Sequence, residues 1–128
     1  MDSGTPVVAI VENDAAMLKA LERLLRASGY ASQLFASAEL YLAHAALDEV
    51  TCMILDIDLG GISGIELQRR LVEQGHAPPI IFVTSQVDAT FEQQAQALGC
   101  LAYLRKPFGS HELLHALRTV EQLRPQGS

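Results

Sequence analysis

Short apolar runs recur along the chain at Val7–Val11, Ala31–Phe35, Cys52–Leu55, Ile80–Val83 and Leu101–Leu104. Each has the length of a strand, and most lack the strict alternation that marks a strand with one solvated face. Between the runs the apolar positions return at helical spacing, as at Met17, Leu21, Leu24 and Leu25, and again at Leu113, Leu117 and Val120. The order is strand then helix, five times over. Near-continuously apolar strands separated by helices predict a parallel sheet covered on both faces, because right-handed crossovers place the helices there. The expected fold is an α/β three-layer sandwich with a five-stranded parallel sheet.

The punctuation agrees with this order. Gly29, Gly75 and Gly99 each end a helical pattern one to four residues before the next strand, where a left-handed stop favours glycine. Ser63-Gly64-Ile65-Glu66 has the spacing of a capping box, so the third helix is expected to begin near Gly64. The second helix is expected over Ala38–Ala46, where the alanines leave no clear apolar face. One domain is expected over residues 7–123, with an N-terminal tail at 1–6 and a linker or tail at 124–128.

A chain of 128 residues, 49% hydrophobic and only 19% charged, supports one core and argues against disorder. The formal net charge is -6, and no basic run is longer than a pair such as Arg69-Arg70. Direct nucleic-acid binding by this segment is therefore not expected. Cys52 and Cys100 lie in or beside apolar runs and are too sparse for a disulfide framework, so reduced thiols are expected. No apolar run approaches the ~18 residues of a membrane span, and no secretory signal precedes Val7. A soluble, cytoplasmic protein without membrane contact is the expectation.

Open parallel sheets bind ligands beyond the carboxyl ends of their strands, and here those ends are polar. The first run leads into Glu12-Asn13-Asp14, the third into Asp56-Ile57-Asp58, the fourth into Thr84-Ser85 and the fifth into Arg105-Lys106-Pro107. Each has an ordinary explanation when taken alone: Asp14 as a helix cap, Thr84 in a turn, Lys106 as a solvated charge. Together they bring acids, a hydroxyl and one of the chain's two lysines to one sheet edge. Carboxylates a few Å apart repel by about 1–4 kcal/mol per pair, so something positive must compensate. Magnesium takes oxygen ligands from one or two carboxylates together with phosphate, and an ammonium serves as a point charge for phosphate. An aspartate in that field can attack phosphorus and form an acyl phosphate.

The run Leu55-Asp56-Ile57-Asp58-Leu59-Gly60-Gly61-Ile62-Ser63-Gly64-Ile65-Glu66-Leu67, with Phe82-Val83-Thr84-Ser85 and Tyr103-Leu104-Arg105-Lys106-Pro107-Phe108, resembles the receiver domains of two-component response regulators. The likeness covers about Val7 to Val120, with the motifs in family order. It implies a flavodoxin-like (βα)5 fold in which Asp56 accepts a phosphoryl group from a sensor histidine kinase. It further implies that Glu12, Asn13, Asp56 and the backbone carbonyl of Asp58 hold Mg2+. Thr84 and Lys106 would contact phosphoryl oxygens, and Thr84 and Tyr103 would form the switch. Lys106-Pro107 resembles the family's cis bond. The surface around Phe91, Tyr103 and Phe108 is the partner-binding candidate, and a homodimer through the fourth helix, fifth strand and fifth helix is implied. Phe35-Ala36-Ser37-Ala38-Glu39 and Glu66-Leu67-Gln68-Arg69-Arg70-Leu71 resemble receivers fused to helix-turn-helix output domains.

Two departures stand out. Asn13 occupies a position where the family supplies a carboxylate, which implies weaker Mg2+ binding, and Gly60 stands where proline is common, which implies a looser loop. A different reading keeps the fold but makes the chain a phosphorylation-independent binding module. Asp56, Thr84 and Lys106 speak against it. His111-Glu112-Leu113-Leu114-His115 matches a zinc-protease pattern, but its histidines fall opposite Leu113, Leu117 and Val120 on the helix, so the match is read as accidental. Asp56-Ile57-Asp58 is similar to the acid pair of haloacid-dehalogenase-type phosphatases, whose pattern does not continue at Leu59 and Gly60. Gly60, Gly61 and Gly64 lack the lysine of a nucleotide-binding loop and read as a turn.

Overall fold

In the computed structural model, which describes residues 6–44 and 50–123, strands and helices alternate throughout. The elements are β1 (Val7–Val11), α1 (Ala15–Ala27), β2 (Ala31–Phe35), α2 (Ala38–His44), β3 (Cys52–Leu55), α3 (Gly64–Gln74), β4 (Ile80–Thr84), α4 (Ala89–Ala97), β5 (Ala102–Arg105) and α5 (Ser110–Leu123). The strands pair in parallel in the order β2-β1-β3-β4-β5. Five expected elements begin and end within a residue of their places. β4 runs one residue further, to Thr84, and β5 is shifted one residue to Ala102–Arg105, because Thr84 pairs with Arg105 at the sheet edge. The part of the second helix expected beyond His44, and the tails at 1–5 and 124–128, lie outside the described residues.

Alternation along the strands divides the core into two layers. Ala9, Val11, Met53, Leu55, Ile80 and Phe82 face α2, α3 and α4, where Ala38, Tyr41, Ile65, Leu67, Leu71 and Ala95 meet them. Val8, Ile10, Cys52, Ile54, Ile81 and Val83 face α1 and α5 through Leu21, Leu25, Leu113, Leu117 and Val120. β1, β3 and β4 are buried on both faces, which is why their sequences are apolar without a break.

The helix boundaries follow from local chemistry. Asp14 caps α1 by accepting from Ala16 N at 3.0 Å and Met17 N at 3.2 Å. Ser63 caps α3 by accepting from Glu66 N at 3.1 Å, but the expected capping box is only half made. Glu66 turns instead to Arg69 and Arg70, at 3.1 Å for the latter, because both guanidiniums lie within one helical turn on its own face. Gly29, Gly75 and Gly99 take φ of +92°, +77° and +96°, as their positions after the helical patterns predict.

Anchoring of the helices is uneven. A fully buried Leu, Ile or Val contributes about 1.5–3 kcal/mol. α5 buries Leu113, Leu117 and Val120, whereas α4 fully buries Ala95 alone. A buried amide makes up part of the difference, since Gln68 on α3 donates from Nε2 to the Ala95 carbonyl at 3.0 Å.

On the other side of α3, Tyr41 fixes α2 by an edge-on contact with Phe35, ring centroids 5.1 Å apart. Its hydroxyl is buried without a hydrogen-bond partner among the described residues, and burial pushes its pKa from 10.0 up to about 12. An unpartnered buried hydroxyl costs about 1–3 kcal/mol, so Tyr41→Phe is expected to raise stability by about 1 kcal/mol in urea denaturation. The neutral phenol favours the fold, and that contribution is whole below the ordinary value and lost as pH rises toward 12. The advantage of Tyr41→Phe therefore grows above pH 10.0. Equal stabilities at neutral and alkaline pH would contradict this.

Candidate functional site

The carboxyl ends of the strands are aligned by backbone hydrogen bonds that run one residue past the sheet. Glu12 N donates to Phe35 O at 3.0 Å, Asp56 N to Val11 O at 3.0 Å, and Lys106 N to Thr84 O at 2.8 Å. Each polar side chain thus stands on a backbone held by the neighbouring strand. The result is one point of contact: Lys106 Nζ lies 2.8 Å from Glu12 Oε1 and 3.2 Å from Asp56 Oδ2.

Both acids are withdrawn from water, with Glu12 and Asp56 at 1% and 5% exposure, and Lys106 is half-buried. Burial pushes the Glu12 carboxyl above its ordinary 4.5, against hydrogen bonds from Lys106 and from Asp14 N. Burial also works against the Lys106 ammonium, but its hydrogen bond to Glu12 and the charge of Asp56 outweigh this and hold its pKa above 10.5. Lys106 is therefore the cation that the clustered acids require.

The remaining sequence-predicted residues surround this centre without joining the ion pair. Asn13 is exposed, and its Nδ2 is 3.7 Å from where a Cβ on Gly60 would stand. Asp58 is exposed, and its N–H donates to Asp56 Oδ1 at 3.3 Å. Thr84 is fully buried, its Oγ1 accepting from Gln86 N at 3.0 Å. The Tyr103 ring is tilted against Phe82 at 6.0 Å, with its hydroxyl buried and unpartnered among the described residues. Lys106-Pro107 is cis. Gly64 brings the start of α3 so close to the Asp56 carbonyl that any Cβ would overlap it, and Gly64 N donates to Ile57 O at 2.9 Å.

Phe91 and Tyr103 pack on the α2–α4 layer, whereas Phe108 packs on the α1–α5 layer, so the three rings are spread over both sides of the sheet. Gly60 has φ of +86°, which proline, locked near -65°, cannot adopt. Glu112, within the zinc-protease pattern, accepts from Gly109 N at 2.9 Å and so serves the start of α5. Among the described residues no group of three or more His, Cys, Asp or Glu side chains is arranged for a metal. Residue patterning did not single out Glu39 or Gln68, because each acts on a segment far away in sequence: Glu39 Oε2 accepts from Ile62 N at 3.0 Å.

The family of response regulator receiver domains matches residues 8–118. The chain belongs to this family. The response regulator TmoT of Ectopseudomonas mendocina is 36% identical to this receiver over 98% of its length and 57% of TmoT. The transcriptional regulatory protein FixJ of Bradyrhizobium diazoefficiens is 29% identical over 92% of the receiver and 58% of FixJ. The receiver spans little more than half of these relatives. The structure of response regulator StyR superposes with a TM-score of 0.87 at 33% identity, over 94% of the receiver and 61% of StyR. A CheY-like receiver from Methanospirillum hungatei, at 23% identity and a TM-score of 0.84, shares the fold. The flavodoxin-like reading of the sequence therefore holds, and the chain is a signalling domain of two-component response regulators.

Receiver domains generally bind Mg2+ at the site of phosphorylation. The donor set here fits such an ion: two buried carboxylates, Glu12 and Asp56, with the Asn13 amide near the following loop. Magnesium is accommodated by one or two carboxylates, other oxygens and water. Among the described residues no helix is long and apolar enough to cross a membrane.

Removing the ammonium would leave two buried carboxylates facing each other. Lys106→Met is expected to lower stability by about 3 kcal/mol at neutral pH in urea denaturation. Glu12 favours the fold when protonated, so its contribution is whole below 4.5 and is lost as pH rises through its raised pKa. The deficit of Lys106→Met should therefore shrink as pH falls toward 4.5. A deficit independent of pH would show that the carboxylates are not its cause.

Proposed function

We propose that this chain is a phosphoacceptor receiver, with Asp56 taking a phosphoryl group from a sensor histidine kinase. The observation that carries this is the position of Lys106 Nζ, within hydrogen-bond distance of Glu12 and Asp56 at once. An Asp56 oxygen attacks phosphorus, forming a P–O bond while the P–N bond to the kinase imidazole breaks and its electron pair returns to nitrogen. Lys106 passes from the carboxylates to a phosphoryl oxygen, and the Thr84 hydroxyl donates to another. Glu12, Asn13, Asp56 and the Asp58 carbonyl would hold Mg2+, which would supply positive charge beside the transferring group. No further side chain is needed for acceptance, so small phosphodonors also serve and the adduct is lost slowly by hydrolysis.

The phosphoryl group adds about -1.5 to -2 charges at one point. Thr84 is drawn to it, and Tyr103, next to Phe82 on the neighbouring strand, repacks. The face of α4, β5 and α5 then changes shape, and a second copy or a helix-turn-helix output domain docks there. The weak anchoring of α4 supports this assignment, since Ala95 is its one fully buried residue. The receiver occupies residues 7–123, between segments 1–6 and 124–128, in a cytoplasmic regulator.

Mass spectrometry after phosphoramidate treatment with magnesium tests the acceptor directly. One base-labile phosphate is expected on the native protein and none on Asp56→Asn; an adduct on both would contradict the assignment. Restoring a carboxylate in Asn13→Asp is expected to tighten magnesium about fivefold to tenfold, the equivalent of ~1 kcal/mol, and to speed phosphorylation. Identical magnesium titrations would remove Asn13 from the ligand set.

A further inference from the structure

Between Asp58 and Gly64 the chain must hold the Asp58 carbonyl steady while passing through two consecutive glycines, which are the least constrained residues available. Leu59 is buried and Ile62 packs against the core, but Gly60 and Gly61 are exposed between them. Among the described residues, Ile62 N is the one backbone donor from residues 59 to 63 with a protein partner, and that partner is Glu39 Oε2 at 3.0 Å.

Glu39 belongs to the first turn of α2, which is tied down at this end. Ser37 Oγ accepts from Leu40 N at 3.0 Å, and Ala38 and Tyr41 on either side of Glu39 are fully buried. Gly61 leaves room for the carboxylate: a Cβ there would stand 2.5 Å from Glu39 Oε2 and 3.3 Å from its Cδ. The Ile62 hydrogen bond also holds the Glu39 carboxyl below its ordinary range, as expected for an anion seated on a backbone donor.

We infer that Glu39 is a positioning residue for phosphoryl transfer, a clamp from α2 that sets the path of the Gly60-Gly61 loop and through it the Asp58 carbonyl and the Asn13 side chain. The Gly60 conformation rules out proline at that position, and the hydrogen bond from α2 takes over the task of holding the loop. Gly61 and Glu39 are neighbours, since a methyl group at Gly61 would press on the end of the exposed Glu39 side chain and turn it aside. The inference rests on the reading of Asp56 as acceptor, whose own test is separate.

The test is a double-substitution cycle of Glu39→Ala and Gly61→Ala, read by the rate of Asp56 labelling with phosphoramidate across a magnesium series. Each single variant is expected to lose about fivefold to tenfold in rate and to need more magnesium for half its maximal rate. The double variant should be no slower than either, because both break the same contact. Glu39→Gln, which keeps an acceptor oxygen, should retain most of the native rate. Amide exchange of Ile62 in magnesium-free protein should be faster in Glu39→Ala and near native in Glu39→Gln, with melting temperatures of all variants close to native. Additive losses in the cycle, or native rates and native Ile62 exchange in Glu39→Ala, would overturn the clamp while leaving the acceptor reading intact. A native protein that takes no phosphate would overturn both.

Discussion

One ammonium holds the carboxyl edge of this sheet together. Glu12 and Asp56 are buried at the ends of adjacent strands, β1 and β3, where two carboxylates would otherwise repel each other and lose hydration. Lys106 reaches them from β5, the far edge of the sheet. The pairing is electrostatically satisfied but chemically open, since an incoming dianion offers Lys106 a denser charge than either carboxylate. On the proposed reading, the same three side chains make a site that is stable at rest and ready to exchange partners.

The scaffold behind the site has graded stiffness. The strands carrying Glu12, Asp56 and Thr84 are buried on both faces, so their polar ends cannot shift without moving the core. α4 fully buries Ala95 alone, with Phe91 partly buried against the same layer, and hangs partly on the Gln68 amide. On the proposed switch, motion set off at Thr84 would find its easiest outlet through α4 and the edge strand β5, not through the centre of the sheet. The α2 side carries the opposite design, with Tyr41 fixing a helix whose Glu39 accepts from Ile62 N in the loop after Asp58.

Much of this was legible in the sequence. The strands could be read because burial on both faces demands unbroken apolar runs, and the site could be read because parallel sheets gather their strand ends at one edge. Asp56 and Lys106 announced themselves by following such runs directly. What escaped were contacts made between segments with no local signature. Glu39 lies 23 residues from Ile62, and nothing in either segment names the other. The side of the sheet taken by Phe108 depends on the path after Pro107, which apolar spacing does not encode. The failed reciprocal cap at Glu66 was visible in principle, because Arg69 and Arg70 sit at the spacings that compete for a carboxylate.

The central claim is that Asp56 is the one carboxylate held in readiness for phosphorus, with Lys106 as its releasable partner. Borohydride reduces an acyl phosphate to the alcohol, so reduction of the phosphorylated native protein followed by peptide mapping reports which carboxylate carried the group. Homoserine at position 56, and at no other acidic position, is the predicted result. Reduction at Glu12 or Asp58 instead, or an unreduced peptide after demonstrated phosphate uptake, would contradict it.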